Sequence, residues 1–351
     1  MRWLRSRGLW QWTLLALAVA LLWLTLRSVP LTAVWAQLAQ LRPDQIGLLL
    51  AANLFVLATF SARWWLLLYA QGYALPYHKL MEYRLAAFSV SYFTPGPHFG
   101  GEPLQIAPLT RRHAVPMPVA LAALVLDKLF ELIFNFAFVL LGALLVLEMG
   151  VGLGGPAQPW TFAAFALLLT LPVGILAALA LGRHPLSAPL AASLRFWQAV
   201  TGRPRHGRAD STHSAAGHFV ISLRESEHLG SQLFRQRPWL LATAVVVSLA
   251  SWAAMVAEFW LMTYILGLKL TVADAVVALL AARAASLLPL PAAVGALEAS
   301  QALAMVSLGL PAAYGVSLAL LIRARDVLFG LIGLWLAAAR LPGRGGERVR
   351  G

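Results

Sequence analysis

Long apolar runs separated by short polar stretches dominate the hydropathy pattern of this chain. Each run approaches or exceeds about 20 residues, the length at which an α-helix crosses the hydrocarbon core of a bilayer. Lipid tails offer no hydrogen-bond partners, so such a run is expected to form a helix, in which the backbone N–H and C=O groups bond to each other. The pattern predicts an all-α polytopic membrane protein. The six predicted spans are 9–26, 46–70, 116–148, 160–182, 239–266 and 312–339.

Two further stretches, 78–110 and 273–308, have a helical pattern but contain charges and Pro/Gly breaks. Proline removes helix hydrogen bonds, and broken backbone at membrane depth must pack in protein or line a wet cavity. Each stretch is therefore either an ordinary span, giving eight crossings, or a re-entrant hairpin that enters and leaves on one side, giving six. The predicted hairpin backbone residues are Pro95, Gly100, Gly101, Pro291 and Gly295.

The distribution of Lys and Arg discriminates between these two topologies, because positive loops stay on the cytoplasmic face. With the N-terminus inside, eight crossings leave 11 loop Lys/Arg inside and 12 outside, which is no bias. Six crossings place 19 inside and only 4 outside. The counts favour two re-entrant hairpins and cytoplasmic termini in a cell (inner) membrane. The apolar run at 9–26 is longer than the core of a signal peptide, so we expect an uncleaved first span.

Composition agrees with the hydropathy pattern. Apolar residues make up 60% of the chain and charged residues 12%, and the mean hydropathy is +0.75; soluble domains average about 25% charged residues. The net charge of +13 could indicate nucleic-acid binding in a soluble protein. Here the arginines concentrate in loops and termini, so an anionic lipid surface is the expected counter-charge and no nucleic-acid partner is predicted.

Motifs for enzyme chemistry are missing from the sequence. It contains no cysteine, which excludes disulfides, thiol catalysis and Cys-based metal sites. Walker A, GxSxG, HExxH and Rossmann patterns do not occur in a usable context. We therefore predict no catalytic residue, no metal and no cofactor, and we expect that the protein is not an enzyme.

The chain also contains an internal duplication, found by comparing it with itself. Three separated blocks match at nearly constant offsets of 195, 196 and 199. They are Trp65, Tyr69, Gly72 and Leu75 with Trp260, Tyr264, Gly267 and Leu270; Pro95…Glu102 with Pro291…Glu298; and Asp127–Ile133 with Asp326–Ile332.

The duplicated unit is a span, a hairpin and a span. We divide one membrane domain, 1–351, into repeat one (46–148), repeat two (239–339) and a basic cytoplasmic loop (183–238) that we expect to combine surface-lying helices with a flexible stretch. In the six-span topology the repeats are inverted. Inverted repeats whose broken helices meet near the midplane are typical of transporters.

Ionisable residues inside the predicted membrane region are the candidates for function, since such groups are costly in lipid and face a cavity or a partner. Asp127 and Glu131 share one helix face at i, i+4. Arg63 and Glu258 hold equivalent repeat positions with opposite charge, which permits a pairing. The alternative for each is a structural ion pair. The predicted substrate-binding residues are Arg63, Glu102, Arg111, Arg112, Asp127, Glu131, Glu258, Glu298, Arg323 and Asp326.

Three segments, Phe93–Glu102, Leu126–Leu132 and Leu290–Glu298, resemble the transmembrane region of the lysylphosphatidylglycerol synthases, the flippase-like family. The resemblance covers about residues 10–340. Ala292-Ala293 replaces a Gly pair of the family, and Asp127-Lys128 replaces its Glu-Arg pair. It implies movement of a lipid between leaflets, and no aminoacyl-transferase activity is expected. The matching positions are Pro95, Gly100, Gly101, Glu102, Asp127, Pro291, Gly295, Glu298 and Arg323.

The sequence thus predicts a lipid flippase or transporter. A head group, expected to be anionic because Arg binds phosphate through two parallel hydrogen bonds, would cross between the two hairpins while its tails remain in lipid. Three alternatives stay open. They are a secondary transporter of a small polar solute, an intramembrane enzyme using Asp127 and Glu131, and a non-transporting subunit that binds a partner through 183–238.

Overall fold

The computed structural model describes residues 32, 35, 36, 39–93, 100–148, 159–200, 215–288 and 290–340. These residues form eleven α-helices and one 3-10 turn. The helices are α1 (Pro43–Ala70), α2 (Tyr77–Phe93), α3 (Glu102–Arg112), α4 (Met117–Glu148), α5 (Pro159–Ala180), α6 (Ser187–Val200), α7 (Ala215–Gln236), α8 (Pro238–Ile265), α9 (Val272–Ser286), α10 (Ala296–Ser307) and α11 (Ala312–Arg340), with the 3-10 turn at Pro291–Ala293.

Four helices among the described residues are long and apolar enough to cross a membrane: α1, α4, α5 and α8. They coincide with four of the six predicted spans. The helix α11 is as long, with 29 residues, but contains three charged residues near its middle. The remaining predicted span, 9–26, lies outside the described residues. The chain is therefore an all-α polytopic membrane protein.

The two interrupted stretches each form a pair of short helices. In the first, α2 has 17 residues and α3 has 11; in the second, α9 has 15 and α10 has 12. At a rise of about 1.5 Å per residue, none reaches the roughly 30 Å of a hydrocarbon core alone. Each stretch therefore needs both of its helices to cross, or it returns to one side; re-entry remains a prediction. Pro95 lies outside the described residues.

The second break has an unusual backbone. Ala292 and Ala293 both have φ of 50° and Gly295 has φ of 80°, directly before α10 begins. A side chain in the left-handed region costs about 1–2 kcal/mol per residue. These two alanines occupy the place of the Gly pair in the resembled family. The backbone at both positions therefore has the left-handed conformation that glycine adopts easily, although the residues are alanines.

Corresponding helices of the two predicted repeats begin at a constant offset of 195. This holds for the first long helix, for the helix before the break and for the last long helix: Pro43 and Pro238, Tyr77 and Val272, Met117 and Ala312. The starts of these three pairs of helices therefore follow 195, rather than the 199 at which the third sequence block matches.

The same local hydrogen bond recurs at this offset. The Trp65 indole Nε1 donates to the Leu75 carbonyl at 3.0 Å, and the Trp260 Nε1 donates to the Leu270 carbonyl at 3.0 Å. In both places an indole at the end of a long helix bonds to the connection that leads into the next helix. Because the same hydrogen bond forms at both sites, the two segments share the same local structure.

The two predicted repeats interlock through their interrupted stretches. Helix α2 packs along α11, and α9 packs against α4, so the first helix of each interrupted stretch lies on the last helix of the other predicted repeat; α1 also packs along α8. Close approach requires glycine: a Cβ on Gly333 would lie 2.2 Å from the Leu85 carbonyl oxygen, and one on Gly142 would lie 3.3 Å from Leu280. Leu85 and Leu280 are themselves related by 195.

The basic loop 183–238 contains α6 and α7. Helix α7 packs against α4, α5 and α8, and it also holds α6. The buried Glu227 of α7 accepts hydrogen bonds from the Leu186 and Ser187 amides, at 2.6 and 3.1 Å, at the start of α6. A carboxylate at a helix N-terminus satisfies amides that have no partner within the helix. The centre of the predicted flexible stretch, 201–214, lies outside the described residues.

We expect Gly333→Ala to destabilise the protein by about 1–3 kcal/mol, because the added methyl overlaps backbone at a packed helix contact. Gly47→Ala is the control: nothing lies within 4 Å of its Cβ position, and alanine favours a helix by about 1 kcal/mol. Thermal unfolding in detergent measures both. Equal midpoints for the two variants would contradict the close α2–α11 packing.

Ala293→Gly is expected to raise the unfolding midpoint, because glycine removes roughly 1 kcal/mol of left-handed strain. Ala275→Gly, in the fully buried helical face of α9, should lower it by a similar amount. The opposite signs separate backbone strain from the general effect of removing a methyl group. A lower midpoint for Ala293→Gly would argue against strain at this turn.

Candidate functional site

The most buried cation in the described part of the bundle is Arg63, on α1, which has 0% exposure. Its Nε donates to Asp127 Oδ1 at 2.7 Å, its Nη2 to the Asp127 carbonyl at 3.1 Å and its Nη1 to Ser248 Oγ at 2.9 Å. These bonds join α1 to α4 and α8. The pairing of Arg63 with Glu258 that the repeat permits does not form here: the buried carboxylate that holds Arg63 is Asp127, on α4.

The charged face predicted on α4 forms a network with α2 and α3 of the first interrupted stretch. Arg84 of α2 lies 3.1 Å from Asp127 Oδ2 and 3.6 Å from Glu131 Oε2. Lys128 lies 3.2 Å from Glu131 Oε2 and 4.0 Å from Glu102 Oε1. The i, i+4 spacing presents both acids to one neighbouring helix. An arginine from α2 can therefore contact both.

The two duplicated glutamates occupy similar positions in different surroundings. Glu102 accepts the Gly100 amide at 2.7 Å, and Glu298 accepts the Gly295 amide at 2.8 Å. Both carboxylates thus lie at the start of the helix that follows a break, where free amides and the helix dipole favour an anion.

The cations near these glutamates differ. Arg323 donates to Glu298 Oε1 through Nε at 2.8 Å and contacts it through Nη2 at 2.7 Å, and the Glu298 side chain is 0% exposed. Lys128 is 4.0 Å from Glu102, whose side chain is 24% exposed. Lys128 and Arg323 are related by the same offset of 195. The ion pair at Glu298 is therefore close and buried, whereas the one at Glu102 is long and partly exposed.

A third group of charges joins α8 and α11. Arg325 Nη1 donates to Glu258 Oε1 at 2.6 Å, Arg325 Nη2 donates to Asp326 Oδ1 at 2.7 Å, and Asn53 Nδ2 donates to Glu258 at 3.1 Å. Asp326 is thus bonded to its chain neighbour rather than to Arg323, three residues before it. Glu258 holds α8 to α11 and, through Asn53, to α1.

A cavity of about 170 Å³ lies beside this group. Phe88 and Tyr92 of α2, Arg283 of α9 and the strained turn at 292–293 line it, together with α8 and α11. Both interrupted stretches therefore contribute to its wall. Ligand pockets commonly reach about 300–1,000 Å³, so this one accommodates a small polar group. The charged side chains in its lining are Glu258, Arg283, Arg325 and Asp326.

Arg283 is the residue of this site that the sequence prediction missed. Among the described residues no carboxylate lies within ion-pair distance of it; it contacts Met255 Sδ and lies 5.4 Å from the Trp252 ring centroid. Segment 279–287 contains no acidic residue. The sequence therefore contained a signal for this residue: an arginine in a predicted membrane hairpin with no acidic residue within one helical turn.

The structure does not bring every candidate into this site. Arg111 and Arg112 are exposed at the end of α3, where no described carboxylate pairs with them. They precede His113, which contacts the Tyr83 hydroxyl at 3.0 Å. Burial, with help from Arg112 and Lys79, lowers the pKa of His113. Arg111, Arg112 and His113 thus lie at the end of α3 and are not part of the cavity lining.

We expect Asp127→Asn to destabilise the protein by about 3–5 kcal/mol, because it leaves the buried Arg63 guanidinium without its carboxylate. Asp44→Asn is the matched control: it breaks an exposed pair with Arg42, whose side chains are 71% and 62% exposed, and such pairs contribute about 0–1 kcal/mol. Adding Arg63→Met to Asp127→Asn should recover part of the loss. Equal unfolding midpoints for the two single variants in detergent would contradict this account.

Comparison with known proteins adds a family to this geometry. The family model described as "Lysylphosphatidylglycerol synthase TM region" matches residues 11–333, nearly the whole chain. No curated protein and no solved structure matches this chain. The sequence resemblance is confirmed, and the match covers both interrupted stretches and all residues of the cavity lining. The chain therefore belongs to the lysylphosphatidylglycerol synthase transmembrane-region family, whose membrane domains are related to lipid handling.

Proposed function

We propose that this protein is a lipid flippase or transporter that moves the head group of a lipid or lipid-linked molecule between leaflets. The observation that carries the proposal is the charged cavity lined by both interrupted stretches. In a family related to lipid handling, charged side chains around a cavity at broken helices suit the passage of a polar head group.

The size of the cavity supports passage of the head group alone. About 170 Å³ holds a small polar group and excludes two acyl chains. The apolar exposed side chains of the long helices, such as Phe55, Leu171 and Leu249, offer a surface on which tails remain in lipid. A head group inside and tails outside keep each part of the lipid in a matching environment.

The different ion-pair distances at Glu102 and Glu298 support a model of alternating access. In this conformation the Glu298–Arg323 pair is closed and Glu102 is partly open, although each glutamate accepts a glycine amide near its helix start. In the proposed cycle, Lys128 closes on Glu102 as Arg323 releases Glu298. Two related sites that exchange their states expose one cavity to each side in turn.

The proposed setting is the cell (inner) membrane with both termini in the cytoplasm, supported by the excess of Lys and Arg in the loops of the six-span topology. The proposed substrate has an anionic head group, supported by the arginine in the cavity that lacks a carboxylate partner among the described residues. No catalytic role is proposed. Secondary transport of a small polar solute is the second candidate, favoured specifically by the small cavity.

Leaflet exchange of fluorescent phospholipids in proteoliposomes tests the proposal. The native chain should accelerate exchange, and Glu102→Gln and Glu298→Gln should each reduce the rate about ten-fold or more. Each variant removes the charge from a carboxylate that bonds to an amide and a cation, and a charge-assisted hydrogen bond contributes about 1.5–3 kcal/mol.

Glu225→Gln is the control, because this glutamate is exposed on α7 and should exchange lipid at the native rate. Loss of activity in all three variants would point to a general effect of charge on insertion. If the native chain moved no phospholipid while a small anion entered the same vesicles, lipid transport would be replaced by solute transport.

A further inference from the structure

We propose that α6 is an interfacial helix that docks on an anionic lipid surface. Its apolar stripe, which consists of Pro189, Ala192 and Phe196, enters the outer edge of the leaflet, and Arg183 and Arg195 bind the phosphates of that leaflet. None of these five residues lines the charged cavity. The contact of α6 with lipid is therefore separate from the proposed transport and does not depend on it.

Helix α6 has a covered side and an uncovered side. Ser187, Leu190 and Leu194 recur at intervals of three and four residues, so they share one side of the helix. This side is buried or half-buried, and α7 packs against α6. The apolar stripe has the same intervals on the opposite side, and all three of its residues are exposed, Phe196 by 70%. Exposed apolar surface of this kind marks an interaction site.

Helix α7 fixes the direction in which the apolar stripe faces. Its buried Glu227 accepts hydrogen bonds from the Leu186 and Ser187 amides at the start of α6. Rolling α6 about its axis to bury the stripe would break these bonds and expose the leucines on the covered side. The stripe therefore faces away from α7.

The start of α6 lies where a membrane-length helix ends. Helix α5 ends at Ala180, and the chain turns at Gly182, which has φ of 77°. Arg235, in the last turn of α7, donates to the Leu181 carbonyl at 3.3 Å, so the end of α7 is joined to the end of α5. Helix α8 begins directly afterwards, and Trp239 in its first turn is 52% exposed. Tryptophan concentrates at the level of the lipid head groups.

The length of α6 excludes a crossing of its own. Its 14 residues span about 21 Å, which is less than the roughly 30 Å of a hydrocarbon core. A short helix with an exposed apolar stripe at the head-group level suits a position in the plane of the interface, with its apolar face about 5–10 Å deep.

The charges around α6 favour a lipid surface as the occupant. Among the described residues of 183–238, the exposed charged side chains of Arg and Glu are five arginines and one glutamate. In the predicted topology this segment faces the cytoplasmic leaflet, which is anionic and attracts basic segments. They are Arg183, Arg195, Arg224, Arg235 and Arg237, with Glu225.

Two of these arginines stand beside the apolar stripe. Arg183 lies four residues before α6, and Arg195 directly precedes Phe196. Adjacent residues on a helix are separated by about 100°, so Arg195 lies at the edge of the stripe rather than within it. A long basic side chain at this edge reaches the phosphates while the stripe remains among the tails.

A fluorescent label in proteoliposomes tests the depth of α6 in the full-length chain. The native chain has no cysteine, so Phe196→Cys gives one site for a bimane label, and Ala192→Cys gives a second site that keeps Phe196. Iodide quenches labels in water, and phosphatidylcholine brominated near its head group quenches labels among the tails. Leu171→Cys on α5 is the lipid reference, and Glu225→Cys on α7 is the water reference.

Brominated lipid should quench the labels at 192 and 196 at least about two-fold more than the label at 225, and iodide should quench them less. Stronger quenching by iodide would place the apolar stripe in water and overturn the proposal. Quenching by neither agent would mean that protein, such as a second copy of the chain, covers the stripe, and would overturn it as well.

The head-group preference is measured with the same label at 192. In vesicles of equal parts phosphatidylcholine and phosphatidylglycerol, bromine on phosphatidylglycerol should quench at least about two-fold more than bromine on phosphatidylcholine, because each arginine near an anionic surface favours it about five-fold. Arg183→Gln combined with Arg195→Gln should remove this difference, whereas Arg42→Gln, which removes an exposed arginine before α1, should keep it. Equal quenching by the two lipids without any substitution would overturn the role of these arginines.

Discussion

An arginine side chain buried inside a membrane protein is costly unless close partners compensate its charge, and the fold meets that constraint at Arg63. Its guanidinium is fully buried and directs all three of its nitrogens at α4 and α8. Moving such an ion out of water costs several kcal/mol even after relaxation, and only close, well-directed partners recover this. The relative positions of α1, α4 and α8 follow from that requirement.

The same constraint explains why the two halves of the charged region differ. Five of its six cations contact a carboxylate, often one on another helix, so helix packing and charge compensation are satisfied together. Arg283 is the sixth; it lines the cavity and lies against an aromatic ring and a sulfur atom. Direct ion pairs therefore form where the helices are held together, and the cation without one lies in the wall of the cavity. The cations are Arg63, Arg84, Lys128, Arg283, Arg323 and Arg325.

Hydropathy predicted many of the helices, but the sequence did not predict most of the ion pairs between helices. Apolar runs define the helices α1, α4, α5 and α8 because length and composition alone decide whether a helix suits lipid. The i, i+4 spacing correctly placed Asp127 and Glu131 on one face. Pairing across helices depends on their rotation and crossing, which the spacing within one helix does not contain. The pairing of Arg63 with Asp127 was therefore not predicted, and Arg283 was overlooked although the absence of an acid within one helical turn was a signal.

The strained turn before α10 shows how the pairs act on the backbone. Arg323 bonds to Glu298 and also donates to the Ala292 carbonyl at 3.2 Å, so one side chain holds both the left-handed turn and the helix start that follows it. Glu298 in turn accepts the Gly295 amide. If Arg323 released Glu298, it would also release its bond to the turn that forms part of the cavity wall. A change in one ion pair would then alter the shape and the charge of the cavity together, which is what a site that must both hold and release a head group requires.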